Sequence, residues 1–123
     1  MVFQTMETAR AVRYIEETYG AAPEFLWART PSNAVFRHQH NGKWFAALLL
    51  DTPQKRLGLP GPDTVDILDL KCTPLMIGSL IDGRGILPGY HMNKEHWITV
   101  LLNGLVPWGQ VQGLIDLSYD ITR

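Results

Sequence analysis

The side chains best suited to do chemistry are concentrated between Gly85 and Trp97. This stretch reads GILPGYHMNKEHW, and it holds two histidines, a lysine, an asparagine and two large aromatic residues behind glycine and proline. Cationic, amide and imidazole groups in one segment can donate hydrogen bonds to a phosphate backbone. The stretch matches no known catalytic or metal-binding motif, so it indicates a surface that presents these groups rather than a reaction.

A second group of basic and aromatic residues lies in a predicted β-hairpin. Arg37 and Trp44 fall on one face of this hairpin, close enough for the guanidinium to cover the indole, and Lys43 belongs to the same hairpin but falls on its other face. Two interpretations stay open. The pair stabilises the sheet, or the two segments together form projections that contact phosphates.

The four histidines do not form a recognisable metal site. His38 and His40 place two imidazoles on one predicted strand face, but a third ligand is needed. His91 and His96 are candidates only by proximity in a fold that the sequence does not specify. We therefore expect no metal and no other cofactor.

The remaining reactive groups favour structural roles. Cys72 follows a predicted buried strand and is expected to act as a small hydrophobic residue; a nucleophilic role beside a histidine stays an alternative. Asp66 and Asp69 are three residues apart on that strand, so they point to opposite faces and cannot act as a carboxylate pair. No nucleophile–base arrangement is present, and we expect that the protein is not an enzyme.

Size and charge limit the possible functions. A chain of 123 residues indicates one domain, residues 1–123. The formal net charge of −1 means that any nucleic-acid binding depends on a local basic patch and is weak and salt-sensitive. A single cysteine fits a reducing compartment, no signal peptide is recognised, and the longest apolar run, Trp44–Leu50, is too short to cross a membrane. These features predict a cytoplasmic protein.

The elements that must position these groups begin with an amphipathic helix between Thr5 as N-cap and Gly20 as C-terminal cap. Its predicted buried face consists of Met6, Ala9, Val12, Ile15 and Tyr19. A last helix begins after Pro107, and its predicted buried stripe consists of Val111, Leu114, Ile115 and Ser118 or Tyr119.

Between the helices the pattern predicts antiparallel strands. Ala34–Leu50 forms a hairpin around Asn41-Gly42, for which we predict a type I′ turn that projects into water and sets Arg37 opposite Ala46. Val65–Lys71 and Trp97–Leu102 are further strands, and Thr73-Pro74 begins a short helix. The order predicts an α+β two-layer sandwich, with an antiparallel β-sheet and the N- and C-terminal helices packed on one face.

Several blocks of the sequence resemble one family. FRH from Phe36, NGKWF from Asn41, VDILDLKC from Val65, GILPGYHMNK from Gly85, HWITV from His96 and LIDLSY from Leu114 are similar in kind and order to the MmcQ/YjbR family. The resemblance covers nearly the whole chain from Tyr19 onward. It implies a fold like that of CyaY and frataxin, and binding to double-stranded DNA through an open sheet face and two hairpin wings. The iron binding of frataxin does not transfer, because the first helix offers Glu7, Glu16 and Glu17 but no acidic ridge.

The candidate DNA-binding residues are the basic, imidazole and indole groups of the two projections and of the strand between them: Arg37, Lys43, Trp44, Lys71, His91, Lys94 and His96. The alternative is a module that binds a protein partner or a small anionic ligand with the same surface. We expect a monomer or a weak dimer.

Overall fold

The protein folds into a helix layer on a five-stranded antiparallel sheet. The computed structural model describes residues 5–123. The elements in chain order are α1 (Met6–Tyr19), β1 (Ala34–Arg37), β2 (Trp44–Pro53), a 3₁₀ helix (Gln54–Leu57), β3 (Thr64–Lys71), α2 (Pro74–Leu80), β4 (Ile86–Pro88), β5 (Trp97–Leu101) and α3 (Trp108–Thr122). The sheet order is β1-β2-β3-β5-β4, and every pair of neighbours is antiparallel. The predicted fold class is confirmed. No helix in residues 5–123 is both long and apolar enough to span a bilayer.

The two terminal helices bury one face of the sheet. Phe36, Leu48, Leu70 and Ile98 are among the fully buried side chains of this core, and α1 and α3 supply Ile15 and Ile115. These sheet residues follow the period-2 alternation of a pleated strand, so the residues between them point to the opposite face. That opposite face has no α-helix on it in the part of the chain that the structure describes, and we call it the helix-free face.

Helix α1 has the predicted caps but a different buried face. The Thr5 hydroxyl accepts a hydrogen bond from the Thr8 N–H, and Gly20 adopts φ 65° at the C-terminus. The buried residues are Thr8, Ala11, Val12 and Ile15, whereas the predicted Met6 is 86% exposed and Ala9 and Tyr19 are only half-buried. The small side chains of Thr8 and Ala11 let the helix approach the sheet, where the Thr8 hydroxyl donates to the buried Asp66 carboxylate at 2.7 Å.

The first hairpin departs from the predicted turn and register. Strand β1 ends at Arg37, which pairs with Trp44 rather than Ala46, because the ladder shifts between Phe36 and Arg37. Gly42 has a positive φ of 73°, but Asn41 does not, so the turn is not type I′. The Asn41 amide donates to the Thr122 carbonyl at 3.0 Å. The tip is therefore anchored to the end of α3 instead of projecting freely into water.

Helix α3 completes the sheet where this irregularity interrupts it. The buried residues Val111, Leu114, Ile115 and Ser118 form the predicted stripe. The Ser118 hydroxyl donates to the Phe45 carbonyl at 2.5 Å and accepts from the Lys71 N–H at 2.9 Å. One hydroxyl thus satisfies two backbone groups of β2 and β3 that do not pair with each other. These two hydrogen bonds fix the end of the sheet at Lys71, the last residue of β3.

Candidate binding face

The helix-free face carries a row of side chains across all five strands. Val35, Ala47, Asp69, Thr99 and Leu87 are aligned by the pairing of neighbouring strands. A small apolar cluster continues this surface, with Leu49, Val65, Ile67, Leu87 and Leu101 at its centre and Trp27, Leu57, Leu59 and Tyr90 packed against it. The covering residues come from connecting segments, and none of the five residues of the row is more than 6% exposed. The sheet face is therefore not open as predicted, and its accessible surface is formed by the residues that cover it.

One indole–cation contact and one pair of tryptophans lie at one end of this face. Lys71 is two residues beyond Asp69 and pairs with Trp97, and its ammonium group lies 5.4 Å from the indole centroid. Trp44 contacts Trp27 edge to face, with ring centroids 5.9 Å apart. Because Trp27 packs on the apolar cluster of the helix-free face, Trp44 belongs to that face too.

The segment between Gly89 and His96 crosses the same face. The Tyr90 N–H donates to the Thr99 hydroxyl at 2.8 Å, which holds the segment over β5. His91 and Lys94 share one cavity lining with Leu87, a residue of the helix-free row. The Lys94 ammonium group donates to the Gly89 carbonyl at 3.0 Å, so its position is partly fixed. The structure therefore brings Trp44, Lys71, His91 and Lys94 to one face.

The other three predicted residues are placed differently. Arg37 forms an ion pair with Glu24, with 2.8 Å between Nε and Oε2, and its charge is largely compensated. Lys43 is exposed in the first turn, where its carbonyl accepts the His38 N–H at 3.0 Å. His96 is half-buried before β5, where its carbonyl accepts the Cys72 N–H at 2.8 Å. Neither Lys43 nor His96 is among the described residues that line the cavities on this face.

Two adjoining cavities form a groove on the helix-free face. The larger one has a volume of about 460 Å³ and lies against Trp27, Trp44 and Leu49. The second has a volume of about 420 Å³ and lies against Leu87 and Lys94. Arg56, Tyr90 and His91 line both cavities, so the two are continuous. We call the whole depression the tryptophan groove.

Sequence reasoning missed several residues of this groove. Arg56 lies in a segment rich in proline and glycine that is typical of a loop, and it is placed by the 3₁₀ helix. Trp27 lies in a connecting segment where only Glu24 forms an isolated bridge with Val35. Tyr90 lies in the polar segment between Gly85 and Trp97, but its contact with the His91 ring, with centroids 4.0 Å apart and ring planes inclined at 40°, depends on the local fold. Trp27, a tryptophan in a connecting segment, was the one sequence signal for this groove.

A buried carboxyl group lies under the groove segment. Asp69 is fully buried, and burial raises its pKa to about 7, an effect that the Thr99 hydrogen bond and the Lys94 charge oppose. Its Oδ1 accepts from the Thr99 hydroxyl at 2.5 Å. Among the described residues, Oδ2 of Asp69 is a buried polar atom without a hydrogen-bond partner. Strand β3 thus holds a carboxyl group that is protonated up to a higher pH than an ordinary aspartate.

Two residues with unusual backbone conformation lie on the groove wall. Asp51 and His91 have φ values of 51° and 61°, and they are the residues other than glycine with positive φ in residues 5–123. Both line the larger cavity. Such conformations are uncommon outside glycine, cost free energy and are concentrated at functional sites.

The side chains considered for metal binding or nucleophilic catalysis lie elsewhere. His38 is outside β1 and is buried against α3, where its Nε2 lies 2.8 Å from Thr122 Oγ1; burial lowers the pKa of its imidazole. Its ring centroid is 5.4 Å from that of His40. Cys72 is buried, and burial raises the pKa of its thiol. In residues 5–123, no group of three or more His, Cys, Asp or Glu side chains is arranged to hold a metal ion.

Asp66 and Asp69 point to opposite faces, as predicted. The Asp66 carboxylate bonds to Thr8 of α1 and to the Asp51 N–H, at 2.7 and 2.9 Å. Asp69 bonds to Thr99 on the helix-free face. The sheet lies between the two carboxyl groups, so they do not form an acid–base pair.

Comparison with known proteins gives consistent results. A family model described as YjbR matches residues 16–121. The uncharacterized protein YyaQ of Bacillus subtilis (strain 168) is 41% identical over 111 residues, which is 90% of this chain and 93% of YyaQ. The uncharacterized protein YjbR of Escherichia coli (strain K12) is 47% identical over 35 residues, 28% of this chain and 30% of that protein.

Solved structures share the whole fold. A crystal structure of a protein from Pseudomonas syringae superposes with a TM-score of 0.89 at 42% identity, covering 98% of this chain and 100% of the other. The Deinococcus radiodurans protein DR2400, with a DUF419 domain, superposes with a TM-score of 0.68 at 27% identity, covering 96% of this chain and 78% of that protein. The architecture and the sequence thus point to the same group of proteins.

Proposed function

This chain belongs to the YjbR family, and from that premise we propose that it is a small, non-enzymatic DNA-binding protein that contacts double-stranded DNA with its helix-free face. The observation that carries the proposal is the placement of Lys71, at the end of β3, and of His91 and Lys94, in the segment after β4, on the same side of the sheet. Ammonium and imidazole groups on a common surface suit contacts with successive phosphates.

The distribution of charge supports this orientation. Helices α1 and α3 together contain five acidic and two basic residues, so the helix layer is acidic. The helix-free face gains Arg56 in addition to the lysines, and its central Asp69 has a pKa raised to about 7 and carries little negative charge below that value. A near-neutral protein with charges separated in this way presents one face to a polyanion.

The absence of catalysis is part of the proposal. Cys72 is buried and its thiol pKa is raised, which opposes formation of the thiolate that a nucleophile requires. Asp69 is an unusual carboxyl group, but it is sealed under the groove segment and bonded to Thr99. These positions fit structural roles.

Duplex binding is tested by fluorescence anisotropy with a labelled double-stranded oligonucleotide over a range of salt concentrations. We expect binding at low salt that weakens as salt rises, with a slope of log K against log salt of about −0.9 for each neutralised phosphate. Absence of binding at every salt concentration would remove the proposal.

Lys71→Gln tests whether the helix-free face makes the contact. Loss of one phosphate contact is expected to weaken binding about equally for all sequences and to reduce the salt slope by about 1. Arg13→Gln is the matched control, because it removes one positive charge from an exposed position of α1. Equal effects of the two substitutions would show that only net charge matters and that the face does not.

A further inference from the structure

We propose that the tryptophan groove is a binding site for a nucleoside monophosphate, with the base on the indole rings and the phosphate at Arg56 and His91. This site goes beyond the DNA-binding proposal and does not depend on it. It uses Trp27 and Arg56, which line the larger cavity, rather than Lys71 and Trp97 at the end of the sheet.

The groove has the size and composition of a small-molecule site. Its larger cavity, about 460 Å³, falls within the range of about 300–1,000 Å³ that is typical of ligand pockets. Leu49 and the two tryptophans give it an apolar floor, and Thr30, Asn33 and Thr52 add polar groups. A few polar groups around an apolar centre are the usual composition of a site that orients one ligand.

The aromatic rings suit a planar ligand. The indoles of Trp27 and Trp44 are in edge-to-face contact, with an angle of 86° between the ring planes. Both residues are only half-buried and line the cavity. A nucleobase stacked on one indole can contact the edge of the other, the geometry that aromatic rings prefer.

The polar ends of the groove suit the rest of a nucleotide. Arg56 is exposed and lines both cavities, and its guanidinium can bind a phosphate through two hydrogen bonds. His91 also lines both cavities and adds an imidazole donor.

The backbone at the walls is an independent observation. Asp51 and His91 both adopt positive φ, and both contribute to the groove. Asp51 lies at the register shift of β2 between Leu49 and Thr52, and His91 lies in the segment after β4, so two separate elements contribute residues with positive φ to the same depression. Strain retained at two walls of one cavity is expected where side chains must take fixed positions for a ligand.

The same chemistry occurs in a free nucleotide and in an unpaired nucleotide of a DNA strand. Calorimetric titrations with adenosine monophosphate, adenosine and single-stranded oligodeoxyadenylate distinguish these sources. We expect one-to-one binding of adenosine monophosphate and weaker binding of adenosine, which lacks the phosphate. Binding of the oligonucleotide alone, with the same dependence on Arg56, would identify the occupant as an unpaired nucleotide.

Arg56→Gln is the decisive variant. We expect it to lower the affinity for adenosine monophosphate about tenfold, as for the loss of a charge-assisted hydrogen bond, and to leave the weaker affinity for adenosine unchanged. Trp27→Leu is expected to lower both affinities about tenfold through lost stacking. Arg13→Gln, on the helix layer, is the charge-matched control and is expected to behave as the native protein.

Two results would overturn this site. One is a lack of binding by both adenosine monophosphate and the oligonucleotide, and the other is an Arg56→Gln protein that binds as tightly as Arg13→Gln. Melting temperatures of the variants check that each is folded. Loss of duplex binding with nucleotide binding intact removes the DNA proposal alone, and the converse removes the nucleotide site alone.

Discussion

Replacing Asp69 by asparagine is expected to raise the free energy of unfolding, by at most about 4 kcal/mol, at pH values above the carboxyl pKa of about 7. Asp69 is fully buried, and its Oδ2 lacks a hydrogen-bond partner among the described residues. An asparagine amide reproduces the shape of the protonated carboxyl group and cannot ionise. It can still accept the Thr99 hydroxyl hydrogen bond through its oxygen.

The direction follows from proton binding. The pKa of Asp69 is raised from 3.8 to about 7, so between these values the folded state holds a proton that the unfolded state releases. The contribution of Asp69 to stability is therefore greatest below pH 3.8 and is lost as pH rises through about 7, by about 1.4 kcal/mol for each pKa unit. Above about pH 7 the full stability contribution of Asp69 has been lost. The asparagine variant does not lose stability in this way, because asparagine does not ionise.

Urea unfolding at a series of pH values measures this difference. Asp66→Asn is the matched control, because it neutralises the buried carboxylate on the helix side, which bonds to Thr8 and to the Asp51 N–H. It is expected to lower stability through weakened hydrogen bonds instead of raising it. Parallel pH profiles for the native protein and Asp69→Asn would show that Asp69 ionises normally.

Replacing Thr99 by valine is expected to cost about 3 kcal/mol of stability. The Thr99 hydroxyl donates to Asp69 Oδ1 at 2.5 Å and accepts from the Tyr90 N–H at 2.8 Å. Valine has nearly the same volume but leaves both groups without that partner. The segment that carries Tyr90 and His91 also loses its anchor on β5, so their amides are expected to exchange hydrogen faster.

Thr52→Val provides the comparison for this variant. Thr52 is also buried, and its hydroxyl makes a long contact of 3.4 Å with the Leu49 carbonyl. We expect a loss of less than about 1 kcal/mol there. If both valine variants lose the same stability, the Thr99 hydroxyl does not have the bridging role assigned to it.

The parts of the fold set by local pattern and capping were predictable from the sequence. Thr5 and Gly20 mark the two ends of α1. Each end was predictable because a hydroxyl N-cap and a positive φ each depend on the type of a single residue. The alternation of Leu68 and Leu70 with Asp69 and Lys71 identified the two faces of β3. The buried stripe of α3 followed from its helical period.

The errors arose where distant segments decide the structure. The Asn41 amide bonds to the Thr122 carbonyl of α3, and this contact selects a turn that the local preference of Asn-Gly does not. Arg37 is compensated by Glu24, thirteen positions earlier, which no pattern within the hairpin indicates. The groove was missed because Trp27, Arg56 and Tyr90 come from three connecting segments with no common period.

The central claim, that the helix-free face contacts DNA, is tested most directly by titrating isotopically labelled protein with a DNA duplex at low salt and recording amide chemical shifts. We expect the largest changes at Lys71, His91, Lys94 and Trp97, with the exposed side of α1 unaffected. Changes confined to α1 and α3, or none at any duplex concentration, would contradict this account.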